Sequence, residues 1–281
     1  VLMENILQYF ENIPTDHRSL LLVGGLAFFF LLEAGIPLFR FDYKKGKHAL
    51  LNLFFTVVTL VINLFGAFLI LMAADFNAKN GTGILNLFTM PLWMNIIFGL
   101  LLLDLLGAWL IHWIQHRVKW MWGFHIIHHT DQQIDVTTSL RHHPGENIFR
   151  LLFTAMAVFF SGASFGVVMM YQTLSVIFTQ LTHANIKIFP KIDKFLSSVF
   201  VTPNFHKIHH HKSLPYTDSN YGNIFSIWDH IFKTSKYIKN MDKILYGLDT
   251  HMTLKESSNI KTLLLIPFQK YRSPVGSKFN D

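Results

Sequence analysis

The sequence predicts an all-α integral membrane protein: a helical transmembrane bundle of three long spanning helices plus a 147–183 helical hairpin, closed by a cytoplasmic helical cap. Three observations predict it. Hydrophobic residues make up 51% and charged residues 15%, against about 25% charged in an ordinary soluble domain. The apolar residues arrive in blocks close to the roughly 20 residues a helix needs to cross a bilayer. The chain also holds 16 histidines and no cysteine, and twelve of those histidines lie between 112 and 211.

Taken in order, 1–18 is a short amphipathic stretch, "MENILQYFENIPTDHR" after an appended-looking Val1–Leu2, and reads as interfacial. Residues 19–116 hold the transmembrane helices. The first runs from Leu20 to Phe39, broken by Glu33 and closed by Pro37; the second, Ala49 to Ala74, contains no charge. The third starts near Met90, with Pro91 suited to a first helical turn, and continues to His116. Residues 117–146 form a cytoplasmic histidine-box region. Two apolar halves around "SGASFG" make 147–184 a membrane hairpin, either two thin crossings or a re-entrant pair. The polar stretch 185–281, with turn signals such as "LPYTDSNYGN", reads as a cytoplasmic cap and C-terminal region.

Charge sets the orientation. Arg40, Lys44, Lys45 and Lys47 crowd one loop, while the 75–83 loop has only Lys79, so the first loop is expected in the cytoplasm. Counting crossings then brings every histidine cluster to that same face. The net charge of +7 is assigned to loops facing anionic lipid head groups. No basic stripe with interleaved aromatics is present, so nucleic acid is not an expected partner. The absence of cysteine excludes disulfides, iron–sulfur ligation and thiolate zinc sites.

The histidines repeat a pattern. "HWIQH" gives His112 and His116 at i, i+4; "HIIHH" gives His125, His128 and His129; "HKIHH" gives His206, His209 and His210. Such spacings place the rings on one helix face. His183 ends an apolar helix, and His143 stands in "RHHPGE". Neutral imidazoles packed together leave lone pairs without donors, and protonated ones repel. Metal relieves both, and the number of rings suits two ions, so the cap is expected to hold a dimetal site. An imidazole set suits zinc, copper, iron or nickel. A structural zinc site closes with four ligands, and the hydrolytic "HExxH" is absent.

In this setting "HWIQH…WGFHIIHH…VTTSLRHHP…LTHANI…TPNFHKIHH…DSNYGN…SIWDHIFKT" resembles the fatty acid hydroxylase superfamily, specifically its bacterial-type sterol desaturase branch, over about 104–234. The resemblance implies a membrane-bound di-iron oxygenase that hydroxylates or desaturates a C–H bond of a lipid substrate, sterol-like, fatty acyl or related. It implies two iron ions, replaceable by zinc on purification, with dioxygen as co-substrate and an external electron donor. Ligation is carried onto His112, His116, His125, His128, His129, His183, His206, His209 and His210, with His143 a family histidine whose ligation stays open.

Asp229, Asn220 and Glu146 match polar family positions and are expected to orient ligand imidazoles, with a cap or turn role as the alternative. Asp104, two turns below His112, marks the polar end of a substrate cavity or serves helix–helix bonding. Gly123 and Lys233 replace a common arginine and glycine, and touch no expected ligand. Lys187, Lys191, Lys194, Lys207 and Lys212 offer a basic dock for the donor or for head groups. The membrane is the bacterial inner membrane, or the endoplasmic reticulum in a eukaryote. The rival readings are a metal transporter, a haem-bearing electron carrier and an inactive lipid- or metal-binding relative.

Overall fold

Residues 1–279 are described in the computed structural model. Among them there are helices and turns but no β-strand, only isolated bridges such as Pro37 with Ile186. α1 is Leu2–Glu11 and α2 is Thr15–Gly35, with a π-helical turn at Leu20–Gly24. α3, Lys45–Asn80, has 36 residues and is therefore about 54 Å long. α4, Leu92–Arg117, carries a second π-helical turn at Leu105–Trp109, just before His112. α5 is Lys119–His129, α6 Pro144–Ser161 and α7 Phe165–His183. Short helices complete the cap: α8 Pro190–Leu196, α9 Pro203–His209, α10 Ile227–Ile231, α11 Leu254–Ser257 and α12 Ile260–Leu265.

Four helices, α2, α3, α4 and α7, are long and apolar enough to cross a membrane. Their apolar content arises from residues that also favour helix, and their outer faces stay uncovered: on α3, Leu50, Val57, Leu64, Phe65, Phe68 and Phe76 are exposed. Such a long uncovered apolar face on a helix of this length suits a lipid surround.

α6 runs beside α3 to its far end. Asn147 Nδ2 donates to Thr59 Oγ1 at 2.5 Å, and Asn77 Nδ2 donates to the carbonyls of Val158 and Phe159 at 2.8 and 3.1 Å. Past these bonds the α6–α7 turn meets the loop after α3. A Cβ on Gly83 would lie 2.3 Å from Gly162 Cα, and both glycines have positive φ. The hairpin thus reaches as deep as α3 itself. α1 packs at that same distal end, where a Cβ on Gly166 would meet Leu7.

At the opposite end two buried carboxylates fasten cap to bundle. Glu33 on α2 turns into the protein interior, accepting from the amides of Val136 (2.6 Å) and Asn185 (2.8 Å) and pairing with Lys45 at 2.8 Å. Asp104 on α4 is fully buried and accepts from the amides of Ile224 and Phe225 and from Trp228 Nε1, each at 3.2 Å. It ties the 222–228 loop to the helix. α5 packs on the upper part of α3 through Trp122, Ile126 and Ile127 against Leu51 and Phe55, covered from behind by Leu248, Leu263 and Ile266. One expected surface residue is misplaced by the sequence reading: Lys207 is fully buried, because every residue of α9 is covered, and its ammonium donates to the Ala184 carbonyl. Lys187, Lys191 and Lys194 are exposed.

Candidate metal centre

Nine histidines, from α4, α5, α7, α9 and the residue after it, His210, converge into two buried sets. One set is His112, His116, His125, His129 and His209; the other is His128, His183, His206 and His210. Within each set the candidate ligand atoms all lie within 4.8 Å of one another. The helix period explains the sorting. In α5 the i, i+4 pair His125 and His129 serves the five-histidine set, while His128 between them serves the other. At α9 the roles reverse: His206 and His210 serve the four-histidine set and His209 the five-histidine one. The motifs at α5 and α9 therefore feed both sets, while His112 and His116 of α4 serve only the five-histidine one.

The ring geometry is that of ligands around a cation. His112 donates from Nδ1 to the Tyr221 carbonyl at 2.8 Å, and His125 donates from Nδ1 to Glu146 at 2.8 Å. Their Nε2 atoms then carry lone pairs, yet they face each other at 3.2 Å, and His129 Nε2 is also 3.2 Å from His125 Nε2. In the second set His183 donates from Nδ1 to the Thr179 carbonyl, and its Nε2 lies 3.1 Å from those of His128 and His206 and 3.3 Å from that of His210. Nitrogens bound tetrahedrally at about 2.0–2.1 Å from one metal ion are about 3.3 Å apart. His116 and His209 have buried Nε2 atoms without a hydrogen-bond partner. The spacing of the ring nitrogens in each set suits one shared cation.

Burial pushes the imidazole of His125 down to about 3 and lowers His128, His129, His206, His209 and His210 well below the usual range, with neighbouring rings adding to the effect. Neutral imidazole is the form that ligates metal.

The supporting contacts differ from residue to residue. Glu146, fully buried, accepts from His125, from His142 Nδ1 at 3.0 Å and from Arg150 Nε at 2.8 Å. Asp229 touches no candidate ligand. It accepts from Trp109 Nε1, the amides of Tyr221 and Gly222, and Thr234 Oγ1, so it holds the residue whose carbonyl receives His112. Asn220 adopts φ 54°, which Asn tolerates better than most residues. Its side chain binds the backbone of Phe205 and Lys236. The carbonyls on either side of it, Ser219 and Tyr221, receive His209 (2.7 Å) and His112.

His143 stands apart from both sets. Its Nδ1 accepts from the Gly145 amide at the start of α6 and its Nε2 donates to the Leu264 carbonyl at 3.2 Å. Asp218, which sequence reasoning passed over, bonds His116 Nδ1 at 3.1 Å and Lys278 at 2.8 Å. Burial pushes its carboxyl up, but those two partners prevail and hold it down at about 2. His142, not among the expected ligands, stacks its ring on His128 at 4.4 Å. Only the proximity of Asp218 to Tyr221 in "DSNY" could have hinted at its place.

The chain is similar in sequence to known proteins. A family model for fatty acid hydroxylase matches residues 96–234. An alkylglycerol monooxygenase of Caenorhabditis elegans is 31% identical over 142 residues, 50% of this chain and 27% of that protein. An ornithine lipid hydroxylase of Rhizobium tropici is 26% identical over 144 residues, covering 51% of this chain and 42% of the relative. The alkylglycerol monooxygenase of Homo sapiens is 27% identical over 150 residues, 52% of this chain and 31% of its own length. The match thus spans less than half of each of these relatives. No solved structure matches the chain.

Proposed function

Residues 96–234 belong to the fatty acid hydroxylase family, and from that premise we propose that the chain is a membrane-bound, dioxygen-dependent oxidoreductase that hydroxylates or desaturates a lipid at a centre of two iron ions. The observation that carries the reading is the sorting of nine buried imidazoles into two sets with their lone pairs turned inward. The five-histidine set would hold one ion and the four-histidine set the other. When bound, the ions supply reduction of dioxygen and abstraction of hydrogen from an unactivated C–H bond, with electrons from a separate donor.

The chain's own part is to place the lipid and keep water out. α5 sits against Leu51 and Phe55 of α3, at a level where the outward neighbours Leu50, Leu53 and Phe54 are exposed. The histidine sets therefore lie within the upper edge of the apolar belt, and the substrate reaches them sideways. An apolar groove of about 390 Å³ opens between α2 and α3, lined by Leu26, Phe30, Ala49 and Leu53 and ending at Thr137 and Leu140. Two residues beyond Leu140 is His142, stacked on His128. We assign this groove to one acyl or alkyl chain. A site so near the belt's edge acts on carbons close to the polar head group, which accords with relatives named for alkylglycerols and an ornithine lipid.

The test is anaerobic iron loading followed by ¹⁸O₂ in the presence of alkylglycerols, ornithine lipids, fatty acyl lipids or sterols. One lipid class should gain a labelled oxygen or lose two hydrogens. His128→Ala and His209→Ala should each lower turnover by at least about 100-fold, with the protein still in the membrane. Retained turnover in either variant refutes the assignment.

A further inference from the structure

Building on the two-ion reading, we propose that the sets are unequal and fill in order: the five-histidine set binds its ion first and tightly, and the four-histidine set holds an exchangeable one. The inference comes from what grips the outer ring nitrogens. In the five-histidine set, four of five Nδ1 atoms donate to fixed oxygens: His112 to Tyr221, His116 to Asp218, His125 to Glu146 and His209 to Ser219. In the four-histidine set only His183 does so, to Thr179. The Nδ1 atoms of His128, His206 and His210 are buried without a hydrogen-bond partner.

An acceptor on Nδ1 fixes the tautomer, holds the ring in line and makes Nε2 more basic. Loss of one such partner weakens metal binding by about 10–100-fold. Net charge does not decide the order, because Glu146 also pairs with Arg150 and Asp218 with Lys278. Orientation and ligand number decide it. Glu146 and Asp218 act as positioning residues, through His125 and His116.

The experiment is a titration of metal-stripped, detergent-solubilised protein with Co²⁺ in competition with a chelator, followed by visible absorption. Two steps are expected, the first at least about tenfold tighter and with the weak bands of five-coordinate cobalt, the second adding the stronger bands of four-coordinate cobalt. Glu146→Gln and Asp218→Asn should each weaken the first step by about 10–100-fold and leave the second unchanged. His210→Ala should remove the second step alone. Two equal steps, four-coordinate bands appearing first, or loss of the tighter step in His210→Ala would overturn the ordering while sparing the two-ion reading. No cobalt binding at all would overturn both.

Discussion

At the scale of single residues, the centre depends on side chains that never reach it. Asp229 gathers four donors, three from the 221–234 segment and one from Trp109 on α4. Asp229→Ala strands those donors in a buried site, at about 1–3 kcal/mol for an unsatisfied group. It also frees the Tyr221 carbonyl that steadies His112. The expected outcome is a lower unfolding temperature together with roughly tenfold weaker metal retention, read by thermal unfolding and by metal content after dialysis. Loss of stability with full metal retention would confine Asp229 to a fold role. The histidines themselves were legible in the sequence, because a helix converts i, i+3 and i+4 spacing into one face without tertiary information. Their division into two sets was not legible, since it depends on how α5 and α9 face each other. Asp218 and the Ser219 and Tyr221 carbonyls lay beyond reach because loop backbone carries no periodic signal, and the burial of Lys207 because α9 is covered on every side by tertiary packing. Asp104 was legible as a costly buried carboxylate, but its partners at Ile224, Phe225 and Trp228 are 120 or more residues away.

At the scale of elements, two close helix contacts give separate predictions. Where the α6–α7 turn meets the loop after α3, Gly83 has φ 97° and no room for a Cβ. Gly83→Ala must push the two loops apart, costing about 2 kcal/mol from overpacking. That corresponds to a fall of roughly 5 °C in the unfolding midpoint, measured in detergent. Because this contact is at the far end from the histidines, metal stoichiometry should not change. The groove between α2 and α3 behaves in the opposite manner. Ala49 lines it, at the point where α3 leaves the Lys45–Glu33 pair. Ala49→Trp should fill the groove, raising KM for the lipid or abolishing turnover, while metal content and unfolding temperature stay as in the parent. Unchanged kinetics would exclude the groove as the lipid's path. Sequence reading found the apolar runs that build both contacts. It left the 147–183 pair open between full crossing and re-entry, because each apolar half around "SGASFG" is near the lower length limit for spanning. Only the contacts with Thr59, Asn77 and Gly83 reveal its depth.

At the scale of the molecule, the arrangement has one polar working end and one distal end, and the chain's lack of cysteine makes that directly testable. Lys44 precedes α3 at the end where Asn52 bonds Thr137. Lys187 bonds through its amide to Ile36 at the top of α2. Lys79, on the last turn of α3, lies exposed at the other end. If α3 crosses once, Lys44→Cys and Lys187→Cys must react with an impermeant maleimide from the same face, and Lys79→Cys only from the opposite one. The excess of Arg40, Lys44, Lys45 and Lys47 over Lys79 predicts a cytoplasmic first face. In sealed right-side-out vesicles, only Lys79→Cys should therefore label before lysis. Labelling of Lys44→Cys and Lys187→Cys instead would invert the protein and place the histidine centre outside, away from cytoplasmic reductants. Labelling of all three from one face would mean that α3 does not cross, and the sideways approach of a lipid to the centre would fall with it.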